Sequence, residues 1–467
     1  MSILIIHRLG DQFIQIGKSV IRRLIILCTQ IILIFRYDMR MIDFAPFGIT
    51  VPHILLPKNP ELGSWSVIAC DQYTQDFDYW KRAEQAAAGK PSTLNLILPE
   101  VYLNSPDKQQ RIQNIRAQMQ AYLADGVFAP EQAEFIYVER TTEYGHVRHG
   151  LVVAVDLDSY EWKPFSKARI RATEATIQER IPPRMEIRRS AALELPHIML
   201  LVNDPAHTLV EAAGKRAKIK APLYDGDLME HSGHISGWAV SSEEDLQAIH
   251  AALEGLAKAN TASDGSIFLF AVGDGNHSLA TAKAVWDEYK AAHPDVTEHP
   301  ARYALVEIVN IYDTGLTFEP IHRVLFNTNG KELSDYVQKE LGGSIQTLAS
   351  AAELDAAVKA SSAAFGFVSA AKGATEFRLL QTPVKELAVS RLQPVLDQYI
   401  ASRTPKPEID YIHGCDEVFR LGAKDGATAI LLPPIAKDDF FATINGRGPL
   451  PRKSFSMGEE SEKRFYL

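Results

Sequence analysis

Cysteine is scarce in this chain: Cys28, Cys70 and Cys415 are the only three among 467 residues, far apart and in no CxxC pair. That spacing offers neither a disulfide framework nor a cysteine-rich zinc site, and it suits a reducing cytoplasm. A surplus of cations is also lacking. With 49 Lys and Arg against 58 Asp and Glu, the net charge of −9 argues against a general nucleic-acid binder, because phosphate backbones are held by excess basic charge. Internal repeats and low-complexity tracts are missing. The apolar stretch at 24–35 is broken by Thr29-Gln30 and spans 12 residues, where a bilayer needs about 20. No membrane partner is expected, and the sequence carries no signal for oligomeric state.

What is present is an ordinary globular composition, 46% apolar. At roughly one domain per 150 residues, the length suggests two or three domains. Residues 1–38 differ from the rest, with five basic residues against two acids; the remaining 429 then carry 44 minus 56, or −12. Three readings compete there: a peripheral amphipathic anchor, a poorly packed extension, or a non-native leader ahead of a start at Met39 or Met41. The last is favoured, because Met41-Ile42-Asp43-Phe44-Ala45-Pro46-Phe47 reads as the start of a folded domain.

Along the chain, short apolar runs bounded by turn residues predict strands or connections at 54–56, 65–70, 94–98 and 198–202. Strands at 134–141 and 148–157 flank Glu143-Tyr144-Gly145-His146 as a hairpin turn. Apolar Ile112, Ile115, Met119 and Leu123 predict one helix face, and 243–259 predicts a second amphipathic helix. A strand at 266–272 should run into the glycine loop and a helix at 277–290. After about Phe326 an Ala-rich alternation of helix and strand predicts a second unit. Without a sustained βαβ rhythm, the class read here is α+β with a mixed sheet.

The segment most able to carry chemistry is Gly273-Asp274-Gly275-Asn276-His277-Ser278. A strand, a glycine loop and a helix N-terminus bind anions, because free N–H groups and the helix dipole both favour negative charge there. Gly273 and Gly275 allow close backbone approach, and Asn276 or Asp274 is placed to cap the helix. Asp274 beside a phosphate calls for a bridging Mg²⁺, and His277 is placed to contact a phosphate or move a proton. The rival reading is a strand-to-helix turn with an Asx cap. No Gly-Lys-Ser/Thr follows, so this is not a Walker A loop.

From Lys167 to Arg189, seven basic residues face three acids, a local +4. There Arg171 would face a phosphorylated ligand, and Pro182-Pro183 would aim Arg184 at it. A solvated strand pair is the alternative. Within this stretch Glu174 is the candidate base for a substrate hydroxyl, while Asp71, Gln72 and Tyr73 stand at an expected strand end, where ligands are commonly met. The basic residues Arg452 and Lys453 belong to a segment that either closes over the site or is a solvated tail. His231 and His234 form only a two-ligand pair, so a solvated turn is preferred to a metal site.

Five ordered blocks carry a family resemblance: residues 65–74, 170–184 (including Glu179-Arg180-Ile181-Pro182-Pro183-Arg184), 273–278, Phe318-Glu319-Pro320-Ile321-His322-Arg323 and Pro451-Arg452-Lys453-Ser454. Over 41–467 the chain resembles the bacterial and archaeal domain of unknown function 1015 family, whose relatives lie in the ParB/sulfiredoxin superfamily and include free serine kinases. The resemblance implies a ParB/sulfiredoxin-like nucleotide-binding core at 39–325 and a smaller α+β domain with a closing tail at 326–467. It further implies ATP or another nucleotide on the glycine loop (Gly273, Gly275, Asn276, Ser278), Asp274 and His277 acting there, and Glu174 as base toward a serine-like hydroxyl. The activity expected is a small-molecule kinase, with a non-catalytic nucleotide-binding regulator as the alternative. The commoner family loop reads Asp-Gly-His-His-Arg-Tyr; here Asn276 replaces the first His and Ser278 the Arg, so Arg171 or Arg184 would supply the missing charge. No basic recognition helix suggests DNA binding, and no cysteine lies at the loop for sulfiredoxin-like chemistry.

Overall fold

Alternating and continuous apolar runs resolve into two large sheets and two small two-stranded ones in the computed structural model, which describes residues 42–371 and 373–467. The expectations for residues 1–38 lie outside the described residues. The chain divides at Asp43, and both large sheets belong to the unit Phe44–Leu467.

The first sheet is built from β1 (Ile49–Thr50), β2 (Phe135–Thr141), β3 (Val147–Asp156), β4 (Tyr160–Glu161), β5 (Ile170–Ala172), β6 (Ile198–Val202), β7 (Tyr224–Asp227), β8 (His234–Val240), β9 (Phe270–Asp274) and β10 (Tyr303–Asn310). Their order is β4-β5-β9-β6-β10-β3-β2-β8-β7, with β1 beside β3. The sheet is mixed: β9 runs parallel to β5 and antiparallel to β6, while β10 runs parallel to β6 and antiparallel to β3. The second sheet comprises β11 (His322–Phe326), β12 (Ser344–Leu348), β13 (Ala364–Ala371), β14 (Ala374–Gln381), β15 (Glu408–Ile412) and β16 (Ala427–Leu431), in the order β12-β14-β13-β16-β11-β15. All its pairings are antiparallel. The class is thus α+β, with one large mixed sheet and additional smaller ones.

All five residues of β6 are buried, as a central strand covered on both faces requires. On one face Met199, Leu201 and Ala271 share a continuous core with Leu325, Phe365, Phe367 and Phe440 from the second half of the chain. Against the other face, Ile136, Val152 and Ile235 pack with Trp65, Trp80, Met119 and the terminal Phe465 and Tyr466. Among the described residues no helix is long and apolar enough to cross a membrane.

Several local expectations shift. Helix α1 (Lys108–Ala124) buries Ile112, Ile115, Met119 and Tyr122, leaving Leu123 exposed. Tyr122 takes the inward place because its ring stacks on Trp65 and its hydroxyl accepts the Ser92 N–H at 2.9 Å. The expected strand at 94–98 is instead a 3-10 turn, Thr93–Leu96, capped by Ser92, followed by extended Ile97. The run from Trp65 ends a short helix, Leu62–Trp65, and only Ile68 pairs as a strand would, with Phe465. Pro182 and Pro183 do not form an extended turn. They lie in the first turn of α2 (Ile181–Arg188), where proline costs no hydrogen bond.

Candidate functional site

Strand β9 begins at Phe270, later than its apolar pattern suggests, and its register slips between Val272 and Asp274 as it enters the loop. The following helix, α3 (Asn276–Ala292), buries Leu279, Ala282, Val285 and Trp286. Its N-cap is Gly275, at φ +86° and without a side-chain cap, so neither Asn276 nor Asp274 caps it. Both side chains are engaged elsewhere. Asp274 Oδ1 accepts the Gly275 N–H at 2.9 Å, and Asn276 bridges to Thr173, accepting its N–H at 3.2 Å. A side chain at 275 would be strained by that φ, and its Cβ would lie 2.8 Å from Arg464 Nη1. The opening turn of α3 therefore keeps its amides free of side-chain caps, the condition for receiving an anion.

His277 accepts the Ile177 N–H at Nε2, 3.2 Å away. Burial, then the nearby Arg180 and Arg184, pushes its pKa down to about 4. It is a neutral ring at physiological pH, with Nε2 occupied and the Nδ1 proton left to donate. That arrangement suits a phosphate hydrogen bond better than proton transfer.

Beneath the loop lies a cluster of three charges that no local pattern signals. Arg464, 2% exposed, places Nη2 2.8 and 3.0 Å from the two Asp71 oxygens and Nε 3.2 Å from Asp274 Oδ2. Burial works against the Asp71 charge, but Arg464 and His197 outweigh it and hold the carboxyl well below its usual range. The tail that brings Arg464 here is clasped in turn. Arg140 and Arg148 donate to the Glu462 carbonyl at 3.1 and 3.0 Å, Ala69 N–H to the Arg464 carbonyl and Tyr466 N–H to the Val67 carbonyl. Gln72 donates to Asp71 at 3.0 Å, whereas Tyr73 stacks on Tyr79. Of the expected trio, then, Asp71 reaches the loop through Arg464, and Tyr73 serves an aromatic pair.

Glu174 follows β5 and forms an isolated parallel bridge with Leu450. This carries residues 451–454 over it, so that the buried Ser454 donates its N–H to Glu174 Oε1 at 3.3 Å. Burial raises the Glu174 pKa to about 7; Ser454 N–H opposes the rise, Asp274 adds to it, and Lys453 and Arg323 oppose it. A carboxylate that titrates near neutrality beside the glycine loop has the property a general base needs. The basic C-terminal segment is thus a cover of Glu174 and not a solvated tail.

The two expected phosphate arginines are held by other partners. Arg171 donates to the Ala168 carbonyl at 2.8 Å and to Asn445 at 2.6 Å, and stacks over Phe268. Arg184 pairs with Glu100, 2.8 Å from Nε, and donates to the Arg180 carbonyl. The exposed side chains of Arg180 and Arg452 near His277, and of Lys453 near Glu174, make no hydrogen bond or ion pair among the described residues. These three are the cations free to meet an incoming anion. Ser278 Oγ lies 2.8 Å from His197 Nε2, and both residues line a groove of about 130 Å³. Among the described residues no three His, Cys, Asp or Glu side chains gather as a metal cage. His234 is not in a turn but opens β8, its ring held between Asp225 and Asp227 of the neighbouring β7.

No curated protein matches the chain. Solved structures similar to it include a free serine kinase mutant in complex with ADP, at 11% identity and a TM-score of 0.36, covering 67% of this chain and 90% of that one. A free serine kinase in complex with AMP is similar at 12% identity and a TM-score of 0.34, with the same coverage. A conserved hypothetical protein from Pyrococcus furiosus is similar at 10% identity and a TM-score of 0.33, over 68% of this chain and 94% of that one. One family model matches residues 53–399, a span that includes the glycine loop, Glu174 and Asp71, and the chain therefore belongs to the family described as protein of unknown function (DUF1015).

Proposed function

We propose that this protein is a nucleotide-dependent kinase of a small hydroxylated molecule, free L-serine or a relative, on a ParB/sulfiredoxin-like core spanning residues 39–325. Residues 326–467 form the second domain and the closing tail. The observation that carries the reading is the meeting of Glu174, with its pKa raised to about 7, the uncapped helix α3 and the unpaired Arg180, Arg452 and Lys453. An anion is drawn to the loop by amides and cations, and a base stands beside it.

In the transfer step the substrate hydroxyl oxygen attacks the terminal phosphorus in line, the phosphorus–oxygen bond to the nucleoside diphosphate breaks, and Glu174 takes the hydroxyl proton. The amides of Asn276, His277 and Ser278, with His277 Nδ1–H, hold the phosphate oxygens. Lys453 and Arg452 balance the charge that the loop's serine in place of arginine does not. A magnesium ion arriving with the nucleotide would be held by Asp274 and the phosphates, one or two carboxylates being its usual protein share, and would supply charge neutralisation. A cytoplasmic setting suits the free thiols of Cys70 and Cys415.

One observation favours a second reading, nucleotide binding without phosphotransfer: both Asp274 oxygens already have partners, Gly275 N–H and Arg464. The deciding experiment incubates the protein with ATP and a panel of free amino acids and small alcohols, reading ADP and phosphorylated product. Product formed by the wild type and lost in Asp274→Asn supports the kinase. Melting protection by ATP with no product from any acceptor supports the regulator.

A further inference from the structure

The groove ending at Ser278 and Thr281 has walls that phosphoryl transfer leaves unused. Met119, Ile187, Leu193 and Leu195 make it apolar. At its rim Arg184 is paired with Glu100, and Arg188 with Glu194 at 2.5 Å, so the charged residues cancel and the groove is built for an uncharged group. Ile97 and Leu98 line it as well. Both are more than nine-tenths buried, and neither peptide N–H nor carbonyl has a hydrogen-bond partner among the described residues. Buried backbone groups are rarely left so.

Ile97 is extended, at φ −123° and ψ 160°. An extended residue presents its own N–H and C=O side by side along one edge. An aliphatic ligand would fill the apolar walls but leave that donor and acceptor buried and unpaired, which is unfavourable. A flat heterocycle with a neighbouring acceptor and amino donor satisfies both demands. Ser278, in the first turn of α3 where the phosphates belong, lines the same groove.

We propose that this groove takes the adenine of the nucleotide, its amino and ring-nitrogen edge on the peptide N–H and carbonyl of Ile97 and its ring among the apolar side chains. This rests on the reading of the loop as a phosphate site. The test compares ATP, inorganic tripolyphosphate and the triphosphate of purine riboside, which lacks the 6-amino group, by calorimetry on the full chain and on Ala191→Trp, which fills the groove from its rim. Wild type should bind ATP about tenfold or more tighter than tripolyphosphate, with the purine analogue several-fold weaker than ATP. Ala191→Trp should lose the advantage of ATP while holding tripolyphosphate as before; that unchanged affinity also reports an intact fold, and Ala191→Leu serves if the tryptophan variant melts early. Equal affinity of wild type for ATP and tripolyphosphate, or an ATP advantage that survives in a folded groove-filled variant, would overturn the base site and leave the phosphate loop standing. Binding of neither ligand would overturn both.

Discussion

Replacing Glu174 with glutamine removes a titrating proton and nearly nothing else. The amide oxygen can still accept the Ser454 N–H that now reaches Glu174 Oε1 at 3.3 Å, and the volume is unchanged. In the folded protein burial raises this carboxyl from an ordinary 4.5 to about 7. Because the folded state holds the proton more tightly than the unfolded chain does, the resulting stability is fully present below about pH 4.5 and is lost as pH rises through 7. At about 1.4 kcal/mol per pH unit, the rise is about 3 kcal/mol. Wild type and Glu174→Gln should therefore melt together near pH 4.5. At pH 8 the variant should be the more stable by about 3 kcal/mol, a few degrees or so in a chain of this size. The same substitution should abolish product formation with little effect on ATP affinity, and the wild-type rate should climb with pH toward a plateau above about 7. Thermal melts in matched buffers between pH 4.5 and 8, with turnover on the same samples, make the test. A constant difference in melting temperature across that range would refute the burial argument, and a variant with wild-type turnover would refute the base.

Arg464→Ala should cost about 3–5 kcal/mol in denaturant unfolding, because it strands Asp71 and Asp274 as uncompensated charges. Adding Asp71→Asn to that variant should recover part of the loss, and strictly additive penalties in the double-mutant cycle would deny the pair. Arg180→Ala and Arg452→Ala, on exposed and unpaired side chains, should shift stability by no more than about 0.5 kcal/mol. Each should nevertheless weaken ATP binding and flatten its salt dependence in titrations run at two ionic strengths. Gly275→Ala should destabilise by about 1–3 kcal/mol from its positive φ alone, measured by thermal melt, since the added Cβ also lies 2.8 Å from Arg464 Nη1.

Much of the architecture was legible because it is periodic. The helix at Glu243–Ala259 begins and ends where its amphipathic pattern does, with Ser242 as cap. The hairpin of β2 and β3 turns at 143–146, between its two apolar runs. Where several local solutions were open, packing chose between them. Tyr122 displaced Leu123 because a ring and a hydroxyl found partners in Trp65 and Ser92. Pro182-Pro183 became a helix start, since proline suits that turn as well as it suits an extended one.

The sequence by itself determined the strand–glycine–helix loop at 270–276, because those elements lie consecutively in it, and singled out Glu174 as a carboxylate in a basic stretch. Only the tertiary structure decided what surrounds them. Arg171 and Arg184 are near in sequence, yet each is claimed by a closer partner, Asn445 and Glu100. The guanidinium under the loop comes from Arg464, and the cover on Glu174 from Ser454. Charge pairing depends on distance in space, and a side chain whose position is set by the Arg140 and Arg148 grip on the Glu462 carbonyl leaves no mark in the local pattern it serves.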